Sequence, residues 1–215
     1  MIFNEHSDLK GLHAFLGASK HHWLNYDDAK LIERYKGQYA QFLGTTLHEI
    51  AANLITCNMK LAKTDKKLVR FELEKAGVPS YAYNIDDIFD NLANYVNDAI
   101  GFRMTPEVIL KYSENCFGTA DTIDFKVREK FLRIHDYKSG TTPASMDQLL
   151  IYAALFYLEY KDRYKFGLDE LETELRIYQG GDIIYFNPTV EDIAPVVDQI
   201  VFKNKIITDF RERGV

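Results

Sequence analysis

The sequence predicts a mixed α/β fold, a central mixed sheet flanked by helices. Three observations predict it. Apolar residues recur at helical spacing in the first hundred or so residues. Three short β-branched and aromatic segments then follow one another closely between 107 and 138. A helical stretch, two more strand-like segments and a last helix complete the chain, an alternation typical of a sheet covered by helices. The length, 215 residues, suits one domain spanning 1–215 with a substantial core.

The elements are justified in order. Residues 12–26, "LHAFLGASKHHWLNY", read as a helix start with Ser19 as N-cap. Aromatic and basic residues interleave there (Lys20, His21, His22, Trp23, Tyr26), as a packed Trp with solvated neighbours or as a substrate-facing helix. Residues 45–62, "TTLHEIAANLITCNMKLA", predict a strong helix: Leu47, Ile50, Ala51, Leu54 and Ile55 keep the period, Thr45 or Thr46 caps it, and Glu49 stands at capping-box distance from Thr46. "KTDKK" reads as a solvated turn, and 86–100 as a helix ended by Gly101. These helices make an N-terminal part, 1–101. The segments 107–115, 117–126 and 130–138 read as an antiparallel meander. The loop "SGTTPA" precedes a helix at about 145–160. A strand at 171–179, a turn at Gly180-Gly181 and a strand "DIIYF" close a sheet core at 107–187. "NPT" opens a final helix, 189–213, with Pro195 as a kink near its start.

Composition narrows the class. The chain is 47% hydrophobic and 27% charged, which fits a globular protein. No apolar run approaches the about 18 residues of a transmembrane helix, and "MIFNEHSDLKG" lacks a basic start followed by an apolar stretch. A soluble cytoplasmic protein without a membrane partner is expected. Two cysteines, Cys57 and Cys116, read as reduced thiols and cannot make a four-cysteine centre. The net charge of −6 argues against a DNA-coating protein, though it leaves room for a local basic groove beside an acidic metal site.

The chemistry concentrates in "RIHDYKSG", 133–140. By strand alternation Leu132, Ile134, Asp136 and Lys138 share one face, with Asp136 and Lys138 roughly 7 Å apart. His135 and the Tyr137 side chain face the other way. If the second and third strands pair, Asp121 faces Asp136. Two carboxylates at that range repel unless a cation sits between them, and Mg²⁺ or Mn²⁺ suits oxygen ligands. Lys138 would then stabilise developing phosphate charge. Taken alone, Asp136 and Lys138 are equally an ordinary strand-end pair, worth under about 1 kcal/mol. Other residues give them company. His48 points from the apolar face of its helix and would serve as a nitrogen ligand. Gln148 and Tyr152, four apart, share a helix face turned inward and could touch the site and a phosphate. The Tyr137 backbone carbonyl is a further candidate ligand, whereas Glu114 reads as a turn residue.

The order His48, "GTAD" (118–121), "DYKSG" (136–140) and "QLLIYA" (148–153) resembles the RecB-like branch of the PD-(D/E)XK nuclease superfamily, especially the small stand-alone exonucleases of phages and prophages. "GASKHHWLNY" resembles the N-terminal helix of that group. The resemblance implies a restriction-endonuclease-like core and metal-dependent hydrolysis of DNA phosphodiesters. It implies that His48, Asp121, Asp136 and the Tyr137 carbonyl hold one or two Mg²⁺ or Mn²⁺ ions. Asp121 and Asp136 would be catalytic carboxylates and Lys138 the catalytic lysine. Gln148 and Tyr152 match the Q-x-x-x-Y motif that places DNA and the lysine. Ser19, Lys20 and Trp23 would contact DNA. Relatives with an iron–sulfur cluster use four cysteines, so no such cluster is expected here. No phosphate-binding loop of the G-x-x-x-x-G-K-[ST] type is present, so no ATP is expected either.

The expected activity is therefore a DNA exonuclease acting on linear ends in phage recombination, replication or repair. A single-strand annealing protein is a partner implied by the resemblance. An endonuclease on the same core, or a non-catalytic DNA-end-binding or interaction domain, are the alternatives. Oligomeric state is left open.

Overall fold

The computed structural model describes residues 7–9 and 13–213. The readings made on residues 1–6, 10–12 and 214–215 lie outside the described residues. The described residues contain six α-helices: α1 (Asp28–Gly37), α2 (Ala40–Thr56), α3 (Lys66–Lys75), α4 (Ile85–Gly101), α5 (Asp147–Tyr164) and α6 (Val190–Glu212). They contain five strands: β1 (Thr105–Ser113), β2 (Cys116–Lys126), β3 (Phe131–Lys138), β4 (Glu172–Gln179) and β5 (Asp182–Phe186). The strands lie in sequence order across one sheet. All neighbours are antiparallel except β3 and β4, which run parallel and need the α5 crossover between them. The fold is thus the mixed α/β class the sequence predicts.

Helices cover both faces. On one side α2, α3 and α4 pack with Tyr137 and Tyr178. On the other, α5 and α6 pack with Leu132, Ile134, Leu175 and Ile177. β3 lies at the centre, and Leu132 to Tyr137 are all buried. A strand covered on both faces carries little solvent alternation, which is why "FLRI" reads as a nearly continuous apolar run. On the α4 side a charged lattice fills the gap between β3, β4 and α4. Arg133 and Arg176 both reach Glu174, at 2.6 and 2.8 Å, and both stack on Phe102. Tyr178 donates to Asp98 at 2.6 Å. His135 is fully buried there, and burial pushes its imidazole down to about 4, so it stays neutral at pH 7.

Several element boundaries differ from expectation, each for a physical reason. Residues 18–25 form a 3-10 segment (Ala18–Asn25) with Gly17 at the cap, and Ser19 does not cap it. Helix α2 starts at Ala40 and ends at Thr56, not 45–62. Thr45 and Thr46 lie inside it, bonding back to the carbonyls of Gln41 and Phe42 four residues earlier. "KTDKK" is the entry to α3, and α1 is a further helix where none was expected. Gly101 is the last residue of α4, with Phe102 at the C-cap. The helix expected at 145–160 runs from Asp147 to Tyr164. The two-residue Gly180-Gly181 turn carries positive φ at both positions (62° and 88°), as a hairpin of this hand requires.

Asn91 of α4 ties the sheet to the helix layer. It is buried, and its Nδ2 donates to the carbonyls of Tyr178 (3.0 Å) and Lys138 (3.3 Å). It thereby pins the end of the strand that carries Asp136 and Lys138. Asn91→Ala leaves both carbonyls short of a partner; a loss of about 2–4 kcal/mol is expected in urea unfolding, and a loss below about 0.5 kcal/mol contradicts this role.

Candidate metal centre

The site forms where β2, still paired with β1, parts from β3. The β1–β2 register places Pro106 opposite Thr122 and Val108 opposite Ala120, so Glu107 stands opposite Asp121. The β2–β3 ladder ends at Thr122 opposite His135, so Asp121 stands opposite Asp136 at the next rung. There a side chain replaces the ladder: the Tyr137 N–H donates to Asp121 Oδ2 at 2.9 Å. Glu107 has φ 53°, a left-handed conformation uncommon for a residue with a side chain. The strand alternation also slips here. A Cβ at Gly118 would meet the Tyr152 ring at 2.9 Å, so Gly118 faces α5, while Ala120 and Ile123, three apart, both join the α5-side core.

Two groupings result. In the first, ligand atoms of His48, Glu107 and Asp121 all lie within 4.8 Å of one another. His48 Nδ1 is 3.3 Å from Asp121 Oδ2, and its ring packs edge-on against Tyr137. Burial pushes the His48 imidazole down, so at pH 7 it is neutral and offers a lone pair. In the second, Lys138 Nζ lies 2.9 and 3.1 Å from the two oxygens of Asp136 and donates to Gln148 Oε1 at 2.9 Å. Gln148 Nε2 in turn donates to the Tyr152 hydroxyl at 3.0 Å. The chain Asp136–Lys138–Gln148–Tyr152 thus fixes the ammonium from both sides.

The structure brings together His48, Asp121, Asp136, Lys138, Gln148 and Tyr152, with two refinements. Asp136 stands outside the His48–Glu107–Asp121 group, so the expected convergence of His48 with both aspartates is not what the side chains adopt. The Tyr137 ring is fully buried on the α4 side, and its main chain alone reaches the carboxylates. Ser19 and Lys20 are exposed and Trp23 is half-buried; the bonds recorded for them are local, the Trp23 indole donating to the Gly17 carbonyl. Glu114 lies in the β1–β2 turn. Glu107 was not among the residues singled out from sequence. The signal that could have found it is register: a carboxylate at the start of the first strand, in line with Asp136 two strands away.

Electrostatics favour a cation. Burial pushes the Asp121 carboxyl up to about 6, against the lowering effect of the Tyr137 N–H and Lys138, while Glu107 adds to the rise. Asp136 is also pushed up to about 6, by burial first and by Asp121 next. Asp136 Oδ2 is buried, with the Lys138 ammonium 2.9 Å away as its counter-charge. Nitrogen and carboxylate ligands at these spacings fit a divalent ion. A groove of about 760 Å³ lies elsewhere, lined by Phe15, Ile32, Tyr35 and Tyr81. It is almost wholly apolar, with Lys36 as the charged residue of its lining.

Fold and centre together define a mixed α/β protein with a candidate divalent-ion site at the splayed ends of its central strands. Residues 13–179 match the family described as "Protein of unknown function (DUF2800)", and the chain belongs to that family. No curated protein and no solved structure matches it. No helix of the described residues is long and apolar enough to cross a membrane.

The raised carboxyls set the sign of a pH effect. Their folded values exceed the unfolded ones, so they favour the fold while protonated, below about pH 4, and that contribution is lost as pH rises through about 6. A bound dication acts in the opposite sense. In chelator the melting temperature of the wild type should therefore fall relative to Asp121→Asn between pH 4 and 6. The rise on adding Mn²⁺ should grow over the same window. A Mn²⁺ effect that does not depend on pH would contradict this.

Proposed function

We propose that the protein is a metal-dependent deoxyribonuclease of the PD-(D/E)XK type, acting as an exonuclease on DNA ends. The observation that carries the reading is the chain Asp136–Lys138–Gln148–Tyr152 lying beside His48 and Asp121. The residues that resemble the RecB-like motifs, far apart in sequence, meet at one end of the sheet. The order of elements around them, helix, three antiparallel strands, crossover helix and a parallel fourth strand, also supports it.

Mg²⁺ or Mn²⁺ would be held by Asp121 with His48, Asp136 and the Tyr137 carbonyl, and when bound it would neutralise phosphate charge and lower the cost of making hydroxide. The protein's own part is positional. Asp136 and Gln148 hold the Lys138 ammonium from two sides, so a positive charge waits where negative charge builds on the phosphate. Tyr152 orients the Gln148 amide, and the close approach of Gly118 leaves room for the Tyr152 ring. Recombination, replication or repair of phage DNA is the setting that the resemblance implies.

Linear and closed-circular DNA incubated with Mg²⁺ or Mn²⁺ test the reading. Wild type should degrade linear DNA and spare closed circles. Lys138→Ala and Asp136→Ala should lose activity by about 10²-fold or more. Nicking of circles would instead favour an endonuclease, and absence of metal-dependent cleavage by wild type rejects both.

A further inference from the structure

We propose that Gln179 is a positioning residue for the Lys138 ammonium, acting through the loop 139–146 and Gln148. The reaction it serves rests on the nuclease reading; the placement it imposes does not.

The loop joins two residues that meet again in space. It leaves β3 after Lys138 and enters α5 just before Gln148. Lys138 Nζ donates to Gln148 Oε1 at 2.9 Å, which closes the mouth of the loop. Its sequence, "SGTTPASM", carries no large apolar residue before Met146, so packing does little to fix its path.

One side chain supplies the fixing bonds. Gln179 Nε2 donates to the carbonyls of Gly140 at 2.7 Å and Thr142 at 2.8 Å, and its Oε1 accepts from the Ala144 N–H at 3.0 Å. This orientation of the amide sets N–H against both carbonyls and oxygen against the N–H; the reverse would oppose like groups at all three points. Alternate loop residues thus turn inward to one planar group. Gly140 and Thr142 are exposed, so water would satisfy their carbonyls as well. What the bonds to Gln179 add is a fixed position.

The base of that side chain is itself fixed. Gln179 ends β4 in register with Lys138, and Asn91 holds the carbonyls of Lys138 and Tyr178 from the α4 side. A Cβ at Gly44 of α2 would lie 3.3 Å from Ser139 Oγ, so α2 backs the loop where it leaves β3. At the other end Ser145 Oγ accepts from the Asp147 N–H at 3.1 Å and donates to its carboxylate at 2.7 Å. The sheet end therefore sets where α5 begins, and with it Gln148 and the ammonium. A shift of about 1 Å in a group aimed at reacting atoms costs about 10²-fold in rate. Losing hydrogen bonds that water replaces costs little stability.

The test uses the whole chain and Gln179→Met, which keeps the side-chain length and removes its three bonds. Without DNA or metal, nuclear magnetic resonance should show the Ala144 amide exchanging about fivefold faster or more, with the Gln148 side-chain amide resonances displaced. The melting temperature should stay within about 3 °C of wild type. Gln179→Glu, which loses both donors, should displace the Gln148 resonances as well and stands in if Gln179→Met does not fold. On linear DNA with Mg²⁺, kcat should fall by about 10- to 100-fold while KM stays near wild type. In a Gln148→Ala background Gln179→Met should slow turnover by less than about twofold more, because both act along one path. Unmoved Gln148 resonances in a folded variant, unchanged Ala144 exchange in Gln179→Met, or full multiplication of the two turnover losses overturns the proposal. Absence of cleavage by wild type rejects the nuclease reading alone, since the spectra decide the role of Gln179 without DNA.

Discussion

The hydrogen bond from the Tyr137 N–H to Asp121 Oδ2 forms where the β2–β3 ladder stops. Without it, the end of β3 would carry an unsatisfied main-chain donor at a fully buried residue, a state that folded proteins avoid. With it, a carboxylate takes the role of a neighbouring strand. The sheet can then splay without losing a bond, and the splay is the opening in which the site lies. The same bond fixes the Asp121 carboxylate, with one of its oxygens already committed to β3 and facing His48.

From that point the arrangement divides by face. The α5 side holds Asp136, Lys138, Gln148 and Tyr152, a run of contacts anchored on helix positions four apart. The α4 side holds the arginine, glutamate and tyrosine lattice that includes His135. Strand alternation sends Asp136 and His135 to opposite sides, and their electrostatic fates differ accordingly. Both are desolvated. The histidine answers by staying neutral among tyrosine and arginine neighbours, and the carboxylate leans on an ammonium.

Much of this was legible in the sequence, and the failures are instructive. The facing of Asp136, Lys138 and His135 follows from alternation alone, because β3 is regular throughout. Gln148 and Tyr152 were legible because helical spacing is rigid. Glu107 was not, because its importance arises from register and from a backbone conformation that residue type does not announce. Thr45 and Thr46 carry a capping signature, yet their hydroxyls bond backward and the helix continues through them. Helix α3 was hidden because its sequence is mostly charged, with Val69 and Leu73 as its buried residues. Tertiary packing against α2 and α4 supplies what its pattern lacks.

The parallel pairing of β3 with β4 has a consequence for how the molecule is made. The two strands are separated by the whole of α5, so β3 gains its second neighbour only when a long crossover closes. Such non-local closures are slow. Until then β3 is an open edge able to recruit another chain. The run Leu132-Arg133-Ile134-His135-Asp136-Tyr137-Lys138 is apolar enough to do so, but every second or third position is ionisable. Arg133, Asp136 and Lys138 therefore guard the nascent strand against aggregation before they have any partner in the finished fold.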